Sequence, residues 1–219
     1  AYRSDSKSEK YDRKLADILS TAAQVFAEQG YDPASIRMVA ERAGVSVAGL
    51  YYYVRSKEEL LYLIQFHVFD GLVERFKEDG ARVADPAERL ELFIRNQLER
   101  FLADMSALIV CSRELGRLSG EYLERVESRQ REYFSQALQI FQELEQQNGG
   151  SRVDPRTAAL AMFGTINWVS TWYQSGSGHS AAELAREFAQ LYLHGVLPGE
   201  LSPGGSPLEP RSGDGEVVS

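Results

Sequence analysis

Three consecutive tyrosines, Tyr51-Tyr52-Tyr53, follow a run of small residues, Ser46-Val47-Ala48-Gly49. A helix that only fills a core has no use for three successive tyrosines, because neighbours on a helix point in different directions. Phenolic hydroxyls reach phosphate oxygens well, and small residues let a helix backbone press into a major groove. Lys57 adds a cation just inside a helix N-terminus, where free N–H groups already favour an anion. Arg37 is long enough to reach a phosphate or the edge of a guanine. These residue types at these spacings point to docking on a nucleic-acid backbone, with a few base contacts. Other candidates for chemistry are weaker. Gly176-Ser177-Gly178-His179-Ser180-Ala181 fits the loose dinucleotide pattern G-x-G-x-x-A, but it follows a helix rather than a strand and reads as an interhelical loop. His67, His179 and His194 are scattered, H-E-x-x-H does not occur, and Cys111 lies in an apolar run as a packing residue. No catalytic, metal or cofactor site is expected.

The elements that must position these residues are helices. Leu15, Ile18, Leu19, Ala22, Val25 and Phe26 recur at i, i+3, i+4, i+7, i+10 and i+11, which is one apolar helix face. Gly30 stops that helix, Asp32-Pro33 turns the chain, and Ser35 suits the N-cap of a second helix with Ile36, Val39, Ala40 and Ala43 on one side. Ser46 caps a third short helix, and Ser56-Lys57-Glu58-Glu59 reads as a capping box opening a long fourth helix to about Glu78. Asp85-Pro86, Ser119, Asp154-Pro155 and Ser180-Ala181-Ala182-Glu183 read as further helix starts. The pattern gives an all-α chain of about nine helices, without the alternation and hairpin turns that strands require. Helices two and three, joined by Ala43-Gly44-Val45-Ser46, have the dimensions of a helix-turn-helix or of an ordinary αα-hairpin. Spacing alone does not separate the two; the surface chemistry of the third helix favours the first.

The chain has 219 residues, 43% of them hydrophobic, with 24 Lys and Arg against 32 Asp and Glu and a net charge of −8. Such acidity excludes a uniformly basic nucleic-acid coat, though not a local DNA-binding face. Residues 1–60 hold nine basic and nine acidic side chains, so the whole excess lies beyond them. The acidity therefore belongs to the far end of the chain and leaves a near-neutral reading head. With one cysteine there is neither an internal disulfide nor a cysteine zinc cluster. Purely apolar stretches such as Ala107 to Cys111 are too short to span a bilayer, and residues 1–10 lack a secretory apolar segment. A cytoplasmic protein without membrane contact is expected. Residues 198–219 hold four of the seven prolines and five glycines and are expected to be a disordered tail.

The segment from Ser35 through Gly44-Val45-Ser46 and Tyr51-Tyr52-Tyr53 to Leu60 resembles the signature of the TetR (tetracycline-repressor) family of bacterial transcription regulators, with the likeness covering roughly residues 12–60. Many members have threonine where Ser35 stands and a His-Phe pair where Tyr53-Val54 stands. The resemblance implies a homodimer with an N-terminal three-helix DNA-binding domain and a larger domain for dimerisation and ligand sensing. It divides the chain into a flexible arm (1–10), a helix-turn-helix domain (11–57), a sensing and dimerisation domain (58–197) and the tail (198–219). Carried over by position, the DNA contacts are Ser35, Arg37, Ser46, Val47, Ala48, Gly49, Tyr51, Tyr52, Tyr53 and Lys57. Arg37, Val47 and Ala48 are expected nearer the bases and the hydroxyls and Lys57 on the backbone, with packing beneath the helix as the alternative for Tyr51. A two-fold dimer reading one duplex face implies an inverted-repeat operator with half-sites about 34–36 Å apart or more.

Farther along, Phe101, Met105, Tyr122, Tyr133, Phe134, Phe163, Asn167, Trp168 and Trp172 are by default core, yet together they suffice to line a lipophilic pocket. Arg113, Arg117, Arg125, Arg129 and Arg131 form either a cationic rim or a solvated face paired with the interspersed glutamates. Arg113 to Tyr122 and Asn167 to Tyr173 are similar to a subgroup of TetR-type regulators of fatty-acid, phenylacetate and steroid catabolism. That likeness implies an acyl-coenzyme A effector, with the acyl chain in an apolar cavity and the phosphates on arginines. The last two helices are expected to meet their copies in a four-helix bundle, and the long fourth helix to carry the effector signal to the reading head. The competing expectations are a sensor of hydrophobic drugs controlling efflux or detoxification, and a DNA-binding protein with no effector.

Overall fold

The computed structural model describes residues 2–173 and 179–196, with residues 2–8 and 196 described at the backbone only. The proposed tail from residue 198 and the first half of the Gly176–Ala181 loop lie outside the described residues. Nine α-helices and one short 3-10 turn account for the ordered elements among them, with no strand.

α1 (Tyr2–Gln29) buries Ile18, Leu19, Ala22, Val25 and Phe26, the face expected from their spacing. Gly30 ends it at φ 82°, a left-handed conformation that a side chain disfavours, and its N–H closes on the Phe26 carbonyl at 2.9 Å. The expected arm at 1–10 is instead the first part of this helix from Tyr2. Between Arg3 and Lys14 there is no proline or glycine, and Lys, Glu and Arg are good helix formers, so the anchored helix propagates backward.

α2 (Ile36–Arg42) starts where the Ser35 hydroxyl accepts the Met38 N–H at 3.3 Å. The chain reverses at Gly44, φ 64°, and the Val45 N–H bonds the Ala40 carbonyl at 3.0 Å. α3 (Val47–Tyr51) is capped by Ser46, whose hydroxyl accepts the Gly49 N–H at 2.9 Å, and it is pinned from below by the fully buried Leu50. α4 (Lys57–Gly80) has 24 residues and so spans about 36 Å. Ser56 caps it through the Glu59 N–H at 3.0 Å, while the Glu59 carboxylate accepts the Arg55 N–H, one residue earlier than a capping box requires.

α5 (Pro86–Ala103), α7 (Gly120–Gln147), α8 (Pro155–Trp172) and α9 (Ala181–Val196) begin at the expected starts. The break before α6 (Met105–Arg113) carries no glycine or proline; Asp104 makes it by accepting the Ala107 N–H at 3.0 Å. A 3-10 turn, Leu115–Arg117, joins α6 to α7. α1, α2 and α3 form the head, and α4 leaves it to pack on α7 and α5. α9 lies along α5, α8 along α7, and α6 is wedged between α1 on one side and α4 and α8 on the other. α6 is therefore an element through which the head and the larger bundle touch. No helix among the described residues is long and apolar enough to cross a membrane.

Candidate nucleic-acid interface and effector cavity

The head presents one continuous surface of open side chains. Ser35, Arg37, Ser46, Val47, Ala48, Tyr51 and Tyr52 are all exposed; Gly49 and Tyr53 are half-buried. Tyr52, at 68% exposure, is more open than Tyr51 at 51%, so the alternative of Tyr51 packing beneath α3 does not describe this chain. Leu50 alone of that stretch fills the core. Gly49 sits where a Cβ would press on the Ser46 hydroxyl at 3.1 Å, so the backbone of α3 stays bare on its outer side. Arg42 is occupied by Glu28 at 2.6 Å, whereas Arg37 has no ion pair among the described residues.

The three tyrosines do not stand alone. Tyr11, from α1, stacks on Tyr53 with ring centroids 4.9 Å apart and meets Tyr52 edge-on at 5.9 Å, and Tyr52 and Tyr53 are themselves edge to face at 5.2 Å. Such pairs favour a fixed ring geometry beyond simple burial. Sequence reasoning missed Tyr11, because nothing local links it to residues forty positions away.

Lys57 requires a correction. Its ammonium donates to the carbonyls of Tyr31 (2.9 Å), Asp32 (3.2 Å) and Ala34 (2.9 Å) and lies 4.3 Å from the centre of the Tyr31 ring. An ammonium has three hydrogens, and all three are used to hold the α1–α2 turn. In the chain as folded, Lys57 ties that turn to the start of α4 rather than facing outward.

In the larger bundle, α4, α5, α6, α7 and α8 enclose a cavity of about 350 Å³. Of the residues singled out from the sequence, Phe101, Tyr133, Phe134, Phe163 and Asn167 line it; Phe69, Gln97, Leu108, Cys111, Ser112, Gln130 and Leu160 complete it. Its floor is an aromatic stack: Phe93 lies parallel to Tyr133 at 4.5 Å, with Phe163 edge-on to Tyr133 at 5.6 Å. The buried Tyr133 hydroxyl donates to the Gln97 side-chain oxygen at 3.2 Å, and burial holds that phenol well above its usual range. Burial likewise pushes the Cys111 thiol up to about 12, so it is a neutral, unreactive wall residue.

The remaining candidates are elsewhere, for physical reasons. Met105 is half-buried in the first turn of α6, outside the lining. Tyr122 stacks on Tyr62 of α4 at 4.5 Å. Arg117 pairs with Asp32 at 2.6 Å, Arg129 with Asp70 and Glu132 at 2.7 Å each, and Arg125 lies over the Tyr62 and Phe66 rings. Arg113 is exposed and does not touch the cavity. The solvated, paired face thus describes these arginines better than a rim. Trp168 and Trp172 point outward, at 64% and 43% exposure. Arg131, the last of that arginine run, and Arg156 lie instead in a groove beside the cavity. This groove, of about 600 Å³ between α7 and α8, shares Gln130, Phe134 and Leu160 with the cavity. Arg156 rests over the Phe134 ring at 5.3 Å, and Arg131, 68% exposed, is paired with Glu127 at 3.3 Å.

Residues 18–62 match the family described as bacterial regulatory proteins, tetR family, and residues 83–196 match the tetracyclin repressor-like C-terminal domain. The chain belongs to the TetR family of transcriptional regulators, DNA-binding proteins rather than enzymes. It is 26% identical to the fatty acid metabolism regulator protein of Bacillus subtilis over 185 residues, covering 84% of this chain and 95% of that one. It is also 26% identical to the HTH-type transcriptional repressor KstR2 of Mycobacterium tuberculosis over 189 residues, 84% of this chain and 92% of the relative. Among solved structures it is similar to AibR in complex with isovaleryl coenzyme A and operator DNA, with TM-score 0.69, 25% identity, and coverage of 84% and 98%.

Proposed function

We propose that the chain is a homodimeric repressor that binds an inverted-repeat operator through α3 and is released by an acyl-coenzyme A thioester. The observation that carries this reading is the opening of an apolar cavity onto a groove that bears two arginines. At about 350 Å³ the cavity is at the small end of the ~300–1,000 Å³ range of ligand pockets, so it accepts an acyl group and not a whole coenzyme A. The nucleotide must stay outside, and Arg131 and Arg156 supply the phosphate-binding charge there. The relatives named for fatty-acid metabolism and the coenzyme A complex of AibR support the same class of effector. Arg37, Val47 and Ala48 are assigned to base edges, and Ser35, Ser46, Gly49 and the tyrosines to the backbone, in a cytoplasmic setting. An effector that prefers the dimer whose heads do not fit the operator weakens DNA binding by reciprocal linkage.

The test is a thermal-shift and operator-titration series with acyl-coenzyme A thioesters and the matching free acids. Thioesters are expected to raise Tm and release DNA; Arg131→Ala and Arg156→Ala weaken the thioester response and leave that of the acids, and Arg113→Ala changes neither. Thioester binding that leaves operator affinity unchanged sinks the release mechanism. Equal response to acids and thioesters moves the effector class to a lipophile without a nucleotide.

A further inference from the structure

The HTH alone does not exhaust the surface that continues from α3. α1 is turned toward it by two contacts: Tyr11 packs on Tyr52 and Tyr53, and the Lys14 ammonium donates to the Ala43 carbonyl in the turn at 3.3 Å. Helical spacing carries this side of α1 toward its N-terminus, through positions 10, 7 and 3, which are lysine, lysine and arginine. The acidic residues of the same stretch, Asp5, Glu9 and Asp12, fall on a different row. Residues 1–14 thus hold five basic against three acidic side chains in a chain of net charge −8, and positions 3, 7 and 10 share a helix face with Lys14 and Tyr11. Lys10 is exposed, and the Tyr11 hydroxyl has no hydrogen-bond partner among the described residues.

We propose that the first three turns of α1 are a second DNA-binding element, in which Lys7, Lys10 and the Tyr11 hydroxyl contact phosphates flanking the groove read by α3. Duplex DNA is the partner because the row is continuous with the reading face and shares its chemistry: cations and free phenols, no apolar anchor. The occupied site is longer than the half-sites alone, and part of its affinity is independent of sequence. This rests on α3 reading DNA and is independent of the effector.

The experiment uses the full chain and a duplex selected on it from a randomised pool, in two lengths: trimmed to the inverted repeat, and with six base pairs added at each end. Wild type is expected to gain affinity from the added flanks, whereas the Lys7→Ala/Lys10→Ala variant gains none. Each phosphate neutralised by a lysine adds ~0.9 to the steepness of log affinity against log salt, so the double variant, which neutralises two fewer per protomer, is shallower by about 3.6. The gap between wild type and variant then narrows by about two orders of magnitude from 50 to 200 mM salt. Tyr11→Phe keeps the stacking and the thermal stability and reduces the flank effect. Unchanged slopes and an unchanged flank effect in these variants overturn the inference and leave Tyr11 a packing residue. A wild-type chain that selects no duplex overturns the reading head itself, and this element with it.

Discussion

The Glu58 carboxylate accepts hydrogen bonds from both the backbone N–H and the hydroxyl of Ser119, at 2.9 and 2.8 Å. Glu58 belongs to the first turn of α4, where the chain leaves the head; Ser119 precedes α7, in the bundle. Arg117 reaches Asp32 at 2.6 Å, and the Tyr31 N–H donates to Glu114 at 3.3 Å. The short segment 114–119 is therefore fastened at three points, two on the head and one on the first turn of α4. It directly follows α6, whose Leu108, Cys111 and Ser112 wall the cavity. A ligand that displaces α6 pulls on these fastenings. Exposed pairs of this kind contribute only ~0–1 kcal/mol to stability each. Glu58→Ala with Arg117→Ala is expected to lower Tm little and to leave effector affinity intact. It reduces the factor by which effector weakens operator binding, which in allosteric proteins is typically ~5–150-fold. Operator titrations with and without saturating effector measure that factor; an undiminished factor removes the segment from the signalling route.

Lys57 yields a prediction opposite to that of a phosphate contact. Its three carbonyl partners fix the turn that sets the angle between α1 and α2. Hydrogen bonds to a charged group contribute ~1.5–3 kcal/mol. Lys57→Ala is expected to destabilise the chain by about 2 kcal/mol or more, read by urea unfolding, and the remaining folded protein keeps the wild-type salt slope on DNA. A slope shallower by one unit per protomer at unchanged stability would return Lys57 to the DNA face.

The head was legible because its determinants are local: Ser35, Gly44, Ser46 and Ser56 each act within four residues of themselves, as caps or as a turn. What an arginine on α7 does is not local. Arg129 is held by Asp70 of α4, and Arg156 finds Phe134 of α7, pairings that only the packing of long helices creates. The aromatic half of the cavity was visible as a surplus of rings, but Gln97 and Gln130 gave no signal, since amides on a helix ordinarily face water. The start of α6 escaped for a related reason: Asp104 breaks the helix with a side chain common in any surface turn.

Cys111 gives a pH prediction and a reporter. Burial raises its pKa to about 12 in the fold, from about 8.5 for an exposed thiol. The neutral thiol is thus favoured by folding. The contribution is whole below pH ~8.5 and is lost as pH rises toward 12, because the unfolded chain ionises first. Urea-unfolding stability should fall by up to ~1.4 kcal/mol per pH unit over that window in wild type, and less steeply in Cys111→Ala. Tyr133, also raised by burial, adds to the fall above pH ~10 in both. Iodoacetamide at pH 7.5 is expected to label Cys111 only in denaturant. Since the thiol lines the cavity, a bound acyl group should slow labelling at pH 9. Identical slopes in the two proteins would show that Cys111 is not buried as neutral thiol.

Trp168 was a ligand candidate from its sequence neighbourhood, and its place in the fold gives it a different task. Leu160, Trp168, Trp172 and Leu191 are the large apolar side chains left exposed on α8 and α9, at 54%, 64%, 43% and 61%. Residues 160, 164, 168 and 172 form one i, i+4 row, and position 164 is a glycine with open space above it, which permits close approach of another helix. A patch of this kind on a folded surface marks an interaction site. We propose that a four-helix contact with a second copy covers it; Leu160, which also borders the cavity, is common to the row and the proposed effector site. Trp168→Glu is expected to give monomers by sedimentation velocity with unchanged helical content. It should lower operator affinity far more than affinity for a single half-site, because two linked reading heads bind with the effective concentration of an intramolecular event. The indole emission of wild type should shift to the blue on assembly. A variant that remains dimeric, or a monomer that binds the full operator as tightly as wild type, would detach α8 from dimerisation and require another occupant for this row.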